Sequence, residues 1–204
     1  MKFRKTCSFL AAAALSAACL AGCAGQEAAT TTAPLPSTSI AATSGLSGSY
    51  ASVGTFSTED VFGTTYTQDL FKNYDLTLVN AFTTWCPPCV KEMPELEKLR
   101  QAYTDKGIKL GVVAVVLDVK TPIGIDKSAL EQAKLLSERS AAQFPFLIPD
   151  DSEMNGRLSG IDSVPESFFV DSDGNIVSAA YIGARTQEEW ARIVDAELAK
   201  LKGE

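Results

Sequence analysis

Apolar positions along this chain follow two patterns: dense apolar runs, and runs repeating at helical spacing. The first kind comprises Leu76-Thr77-Leu78-Val79-Asn80-Ala81-Phe82 and the near-continuous β-branched run Ile108 to Leu117. Both predict buried strands, the second covered on both faces as in a parallel sheet. Between them, Val90 to Arg100 has the spacing of an amphipathic helix, which runs to about Lys106 with Gly107 as its stop. Upstream, Phe56 to Thr67 predicts an edge hairpin around Gly63, and Gln68 to Asn73 a helical turn. Downstream, a loop with Pro122 and Gly124 leads to Asp126, the N-cap of a helix over Lys127 to Gln143. Phe144 to Pro149 predicts a strand, and the polar stretch Asp150 to Ser159 has room for a helical turn. Val164 to Val170 is a strand entered through Pro165, and Asp171-Ser172-Asp173-Gly174-Asn175 turns it into Ile176 to Ile182. Thr186 caps a last helix to Lys202, with Glu189 completing a capping box. The order β-α-β-α-β, hairpin, helix predicts an α/β fold with a central mixed sheet and helices on both faces.

The first 52 of the 204 residues fall outside that pattern. Lys2, Arg4 and Lys5 precede an alanine-rich apolar run, Phe9 to Leu20, too short to span a bilayer as a helix. Small residues then lead into Cys23. Residues 1–23 thus predict a secretory signal peptide. Its end, Leu20-Ala21-Gly22-Cys23, resembles the bacterial lipobox, which implies lipidation of Cys23; the plainer reading is an export signal with an incidental cysteine. Residues 24–52 are rich in Ala, Thr, Ser, Gly and Pro without periodicity and predict a disordered tether. The folded domain is expected over 53–204. Without Lys2, Arg4 and Lys5 the formal charge of −7 becomes about −10. That balance argues against nucleic acid as a partner, and it makes any membrane link a lipid rather than a basic patch.

Cysteine usage narrows the chemistry. Cys7 and Cys19 leave with the signal peptide, so Cys86 and Cys89 are the pair left in the domain besides Cys23. A disulfide three residues apart closes a loop too small to add much chain-entropy stability, so a chemical role is favoured over a structural one. Trp85-Cys86-Pro87-Pro88-Cys89 stands between the first buried strand and the amphipathic helix. A helix N-terminus favours a thiolate. The stretch therefore predicts a thiol–disulfide exchange centre, in an exported setting where thiols oxidise unless something reduces them. Zinc needs four ligands, and the chain has no histidine and no further cysteine in the domain. Asp171 to Ile182 departs from a calcium loop, with glycine at the fourth place and Ile182 where the glutamate belongs.

The strand, Trp-Cys-x-x-Cys, the helix proline Pro94 and the Val-Pro-strand-Asp-x-Asp-Gly hairpin together resemble the thioredoxin superfamily over about residues 53–202. More closely, they resemble its extracytoplasmic TlpA/ResA-type members, many of them membrane-anchored. The resemblance implies a thioredoxin-like fold with Cys86 as solvent-facing nucleophile and Cys89 as buried resolving cysteine. It implies a cis bond before Pro165 and a Val164 backbone that meets bound peptide, with Trp85, Pro87 and Pro88 as the docking surface. Asn80 stands where the founding members carry a buried aspartate that moves protons. Glu92 matches an acidic residue of the closer subfamily that tunes the cysteines; the plainer reading is a solvated helix carboxylate. No bound cofactor is implied, since the cysteines are the redox group. The implied partners are protein disulfides, including apocytochrome c and methionine sulfoxide reductases, and a membrane electron donor of the CcdA/DsbD type, with the domain acting as a monomer. The missing N–H of Pro87 points toward a reductant. The alternatives are a disulfide-forming oxidant, a thiol peroxidase and an inert binding module. Thr83 fits the peroxidase motif, but Val79 stands where that motif has proline. A copper-delivery protein would need histidine. Substrate, direction and membrane are left open by the sequence.

Overall fold

A computed structural model describes residues 51–203. In chain order the elements are β1 (Ser57–Glu59), β2 (Thr65–Thr67), a 3-10 helix (Gln68–Asn73), β3 (Leu76–Phe82), α1 (Pro87–Asp105) and β4 (Leu110–Val116). There follow β5 (Lys120–Thr121), β6 (Gly124–Ile125), α2 (Lys127–Arg139), β7 (Phe146–Leu147), β8 (Glu166–Asp171), β9 (Tyr181–Ile182) and α3 (Gln187–Lys202). The expected signal peptide, Cys23 and nearly all of the expected tether lie outside the described residues.

The main sheet has the order β7-β4-β3-β8-β9. The dense apolar strands take the middle: β3 and β4 run parallel, and β8 runs antiparallel to β3. Every residue of β3 and β4 is buried, as a strand covered on both faces requires. Alternation sorts them by face. Leu76, Leu78 and Phe82 join a cluster with Met93, Leu96 and Leu99 of α1, Ala129 and Ala133 of α2, and Trp190 and Val194 of α3. Val79 and Ala81 join Phe56, Phe71, Met154 and Leu158 on the other face. Three α-helices therefore cover one face, while the 3-10 helix and the 150–160 stretch cover the other. Gly111 in β4 is required by a close approach. A Cβ there would lie 2.6 Å from the Tyr74 ring and 2.8 Å from Thr77 Oγ1.

Three elements differ from the sequence pattern, each for a local reason. The α2 helix stops at Arg139 rather than Gln143, because Ala141 adopts a left-handed φ of 53°. The Phe144–Pro149 run contributes only Phe146–Leu147 to the ladder, since Pro145 and Pro149 cannot donate to it. Ile176–Ile182 pairs at Ile176 and again at Tyr181. Between them the Ser178 hydroxyl takes the Phe169 N–H at 2.9 Å, in place of a backbone carbonyl. A small β5–β6 hairpin also occupies the loop around Pro122.

The two ends of the sheet have different occupants. At one end Leu76 pairs with Asp171, and the Asp171–Asn175 turn holds the incoming chain: Val53 N–H donates to Gly174 O at 3.0 Å, and Ile176 N–H to Ala51 O at 3.1 Å. At the other end Phe82 leads directly into Trp85 and the cysteines.

Candidate active site

Phe82 ends β3, and the next residues turn sharply into α1. The turn is pinned by Asp118, which follows β4. Its carboxylate accepts from Thr84 N–H at 3.1 Å and from the Thr84 hydroxyl at 2.6 Å. Cys86 is the N-cap of α1, with Pro87 and Pro88 filling the first helical positions. Those positions have no intrahelical partner for an N–H, so proline fits there. The first backbone donor free to meet the cap is Cys89 N–H, and it lies 3.3 Å from Cys86 Sγ. Cys86 and Cys89 form a disulfide with Cα atoms 5.3 Å apart.

Exposure around the pair is sharply graded. Trp85 is 72% exposed, Cys86 3% and Cys89 0%. The expectation of a solvent-facing Cys86 is thus corrected in the disulfide form. Both sulfurs are shielded, and Cys86 keeps the slightly more open position because it sits at the cap rather than inside the helix. Pro87 and Pro88 are exposed beside them. Across from Cys86, the Val164–Pro165 bond is cis, as the resemblance implies. Val164 O lies 3.7 Å from Cys86 Sγ, Val164 is half-buried and Pro165 is buried.

Glu92 sits three residues after Cys89 on α1, and such residues share a helix face. It is 1% exposed, so the solvated-carboxylate reading is set aside. Its Oε1 accepts from Trp190 Nε1 and from Arg185 N–H, both at 2.8 Å. Its Oε2 accepts from Asn80 Nδ2 at 3.1 Å. Burial pushes the Glu92 carboxyl above the usual carboxylate range; the Trp190, Arg185 and Asn80 hydrogen bonds and the Arg185 charge oppose that shift without cancelling it. Pro94 lies inside α1, two residues further on.

Of the residues expected from sequence, the fold brings Cys86, Cys89, Val164 and Pro165 together and sets Glu92 one turn past Cys89 on α1. The sequence did not point to Trp190, Arg185 or Asp118. Trp190 carries a visible signal, an aromatic on the apolar face of α3, but that signal reads as core packing rather than as a donor to a carboxylate. Among the described residues no group of three His, Cys, Asp or Glu is placed to hold a metal ion.

The chain matches the Redoxin family over residues 46–194. It belongs to the Redoxin family. This Redoxin is 33% identical over 111 residues to "Thiol-disulfide oxidoreductase ResA" of Bacillus cereus, covering 54% of this chain and 57% of that one. It is 32% identical over 118 residues to "Thioredoxin-like protein YneN" of Bacillus subtilis, covering 58% of this chain and 62% of that one. The match thus spans less than two thirds of either relative's length. A crystal structure of a thiol:disulfide interchange protein of the thioredoxin family from Chlorobium tepidum superposes with a TM-score of 0.56 at 25% identity, over 75% of this chain and 99% of that one. This Redoxin has an α/β, thioredoxin-like fold with a mixed central sheet.

Proposed function

We propose that this protein is a thiol–disulfide oxidoreductase acting outside the cytoplasm through Cys86 and Cys89. The observation that carries the reading is a disulfide capping a helix N-terminus, 3.7 Å from the backbone carbonyl of half-buried Val164, with a buried carboxylate one turn behind it. The relatives' printed names agree with the exchange chemistry.

In the reducing direction the Cys86 thiolate attacks one sulfur of a target disulfide. A mixed disulfide forms and the first target thiolate leaves. Cys89 loses its proton to the Glu92 carboxylate, then attacks Cys86 Sγ. The Cys86–Cys89 bond closes, the second target thiolate leaves, and two electrons have passed to the target. The raised proton affinity of Glu92 suits it to take a thiol proton. Val164 and Pro165 offer a backbone edge to the target, and Trp85, Pro87 and Pro88 an exposed apolar surface. With no N–H on Pro87, one helix-end donor to the Cys86 sulfur is missing, which favours a reductant over a strong oxidant.

The wider assignment rests on the N-terminal sequence. Residues 1–23 act as an export signal, Cys23 carries lipid, 24–52 form the tether, and electrons come from a membrane donor of the CcdA/DsbD type. No helix among the described residues is long and apolar enough to cross a membrane.

The test is a pair of variants with a potential measurement. Cys86→Ser abolishes exchange, while Cys89→Ser traps targets as mixed disulfides; the opposite pattern overturns the order of attack. A reduction potential near about −270 mV supports a reductant, and one near about −120 mV makes the protein an oxidant.

A further inference from the structure

The Glu92 carboxylate is held unequally at its two oxygens. Oε1 meets the Trp190 indole N–H and the Arg185 backbone N–H, groups that donate and never accept. Oε2 meets only the Asn80 amide. An amide can present either its NH2 or its oxygen by turning about its last torsion, and a carboxylate can face only the NH2. The same NH2 donates to Ser167 Oγ at 2.9 Å, and a hydroxyl can donate as readily as it accepts. Meanwhile Asn80 Oδ1 is fully buried and has no hydrogen-bond partner among the described residues. A buried acceptor left idle calls for an explanation, and a second state of this network supplies one.

We propose that Asn80 and Trp190 are positioning residues of the redox centre: the proton Glu92 takes up sits on Oε2, the Asn80 amide inverts to receive it, and Trp190 holds Oε1 fixed throughout. In the ionised state Asn80 Nδ2 donates to Oε2. When the proton arrives from the Cys89 thiol, leaving a thiolate, Oε2 becomes a donor. Asn80 Oδ1 turns to accept from it, and the Ser167 hydroxyl swings to donate to the same oxygen. The idle acceptor of one state becomes the doubly used acceptor of the other. Aspartate at position 80 could not do this, since in its charged form it never donates.

The other charged and titratable groups around Glu92 leave this exchange to it. From the turn before α3, the Arg185 guanidinium stacks over Trp190 at 5.0 Å and over Tyr181 at 5.6 Å. From β9, the Tyr181 hydroxyl donates to Glu197 at 2.5 Å. On α1, Glu95 accepts from Lys98 and from Gln187 N–H. From β3 and β8 come Asn80 and Ser167, neither of which ionises. On α1 itself stand the two cysteines.

The inference rests on the thiol–disulfide reading for the source of the proton, and the experiment separates the two. The protein has two tryptophans, and Trp85 is exposed. In NMR titration of the reduced wild-type protein, the Trp190 Nε1–H and Asn80 NH2 resonances are expected to move with the midpoint of the Glu92 carboxyl carbon, while Trp85 Nε1–H does not follow it. Static Trp190 and Asn80 resonances while Glu92 titrates would overturn the proposal. Trp190→Phe removes one donor to the carboxylate. It is expected to shift the midpoint of the exchange rate upward by about one pH unit, a tenfold change in proton affinity, and to shift nothing when Glu92→Gln is also present. An equal shift in both backgrounds overturns the positioning role. Absence of exchange in the wild-type protein would sink the thiol–disulfide reading alone, and the titration would then decide the Asn80 and Trp190 assignment by itself.

Discussion

Glu92 and Glu166 are both buried carboxylates on elements that flank the cysteine pair, and they are held in opposite ways. Glu166, one residue after Pro165, accepts from Arg157 Nη2 at 2.8 Å, and that guanidinium lies 4.1 Å over the Phe168 ring. Glu92 accepts from an indole, a backbone amide and a side-chain amide. Glu166 has a full positive charge as its stabilising partner. Neutral donors stabilise an anion too, but they leave burial strong enough to raise its proton affinity. The first arrangement suits a part that must not change, here the strand behind the Val164–Pro165 turn. The second suits a part that exchanges protons.

Breaking the first arrangement has the largest expected effect on stability. Arg157→Met leaves Glu166 buried without its cation, which costs about 3–5 kcal/mol, measured as a drop in urea unfolding free energy. The pH dependence of exchange is expected to keep its shape in the protein that remains folded. A changed profile would mean that the two carboxylates are not independent.

Glu92→Gln sharpens the contrast. The folded-state pKa of Glu92 lies above its ordinary value of 4.5. The native state therefore holds that proton more tightly than the unfolded chain does. The stability this contributes is fully present below about pH 4.5 and is lost as pH rises through the folded-state value. The variant, which carries no charge, should match the wild type in acid and be more stable at neutral pH. Its exchange rate should lose the pH step that Glu92 imposes. Parallel stability curves across pH would remove Glu92 from the comparison.

Trp85→Ala has the smallest expected effect on stability, within about 0.5 kcal/mol, because the side chain is largely in solvent. Its consequence lies in recognition: exchange with a folded protein disulfide should suffer more than exchange with a small one, read as the ratio of the two kcat/KM values.

What the sequence revealed follows from how locally each feature is encoded. The strands β3 and β4 announce themselves because both faces are buried. The cysteine pair and the capping box of α3 lie within a few residues of their partners. Pro165 could be placed only through the pattern of a known superfamily. The hydrogen-bond network around Glu92 was hidden because its contacts run between residues 80 and 167, 92 and 185, and 92 and 190, and no periodicity tells which apolar aromatic will turn a polar edge inward. Asn80 was legible only as the place of a missing acid; that its amide meets the buried Glu92 carboxylate is a contact no spacing announces. The broken second limb of the β8–β9 hairpin escaped notice because a side chain, Ser178, does the work of a backbone group.

The chain enters the fold at the Asp171–Asn175 turn, and the cysteines sit beyond the other end of β3. Seven strand residues separate the two levels, about 20 Å at the rise of an extended chain. Any load joined ahead of Ala51 is thus attached at the pole remote from the sulfurs. Attachment there keeps the point of linkage at the opposite end of the sheet from Cys86 and Cys89.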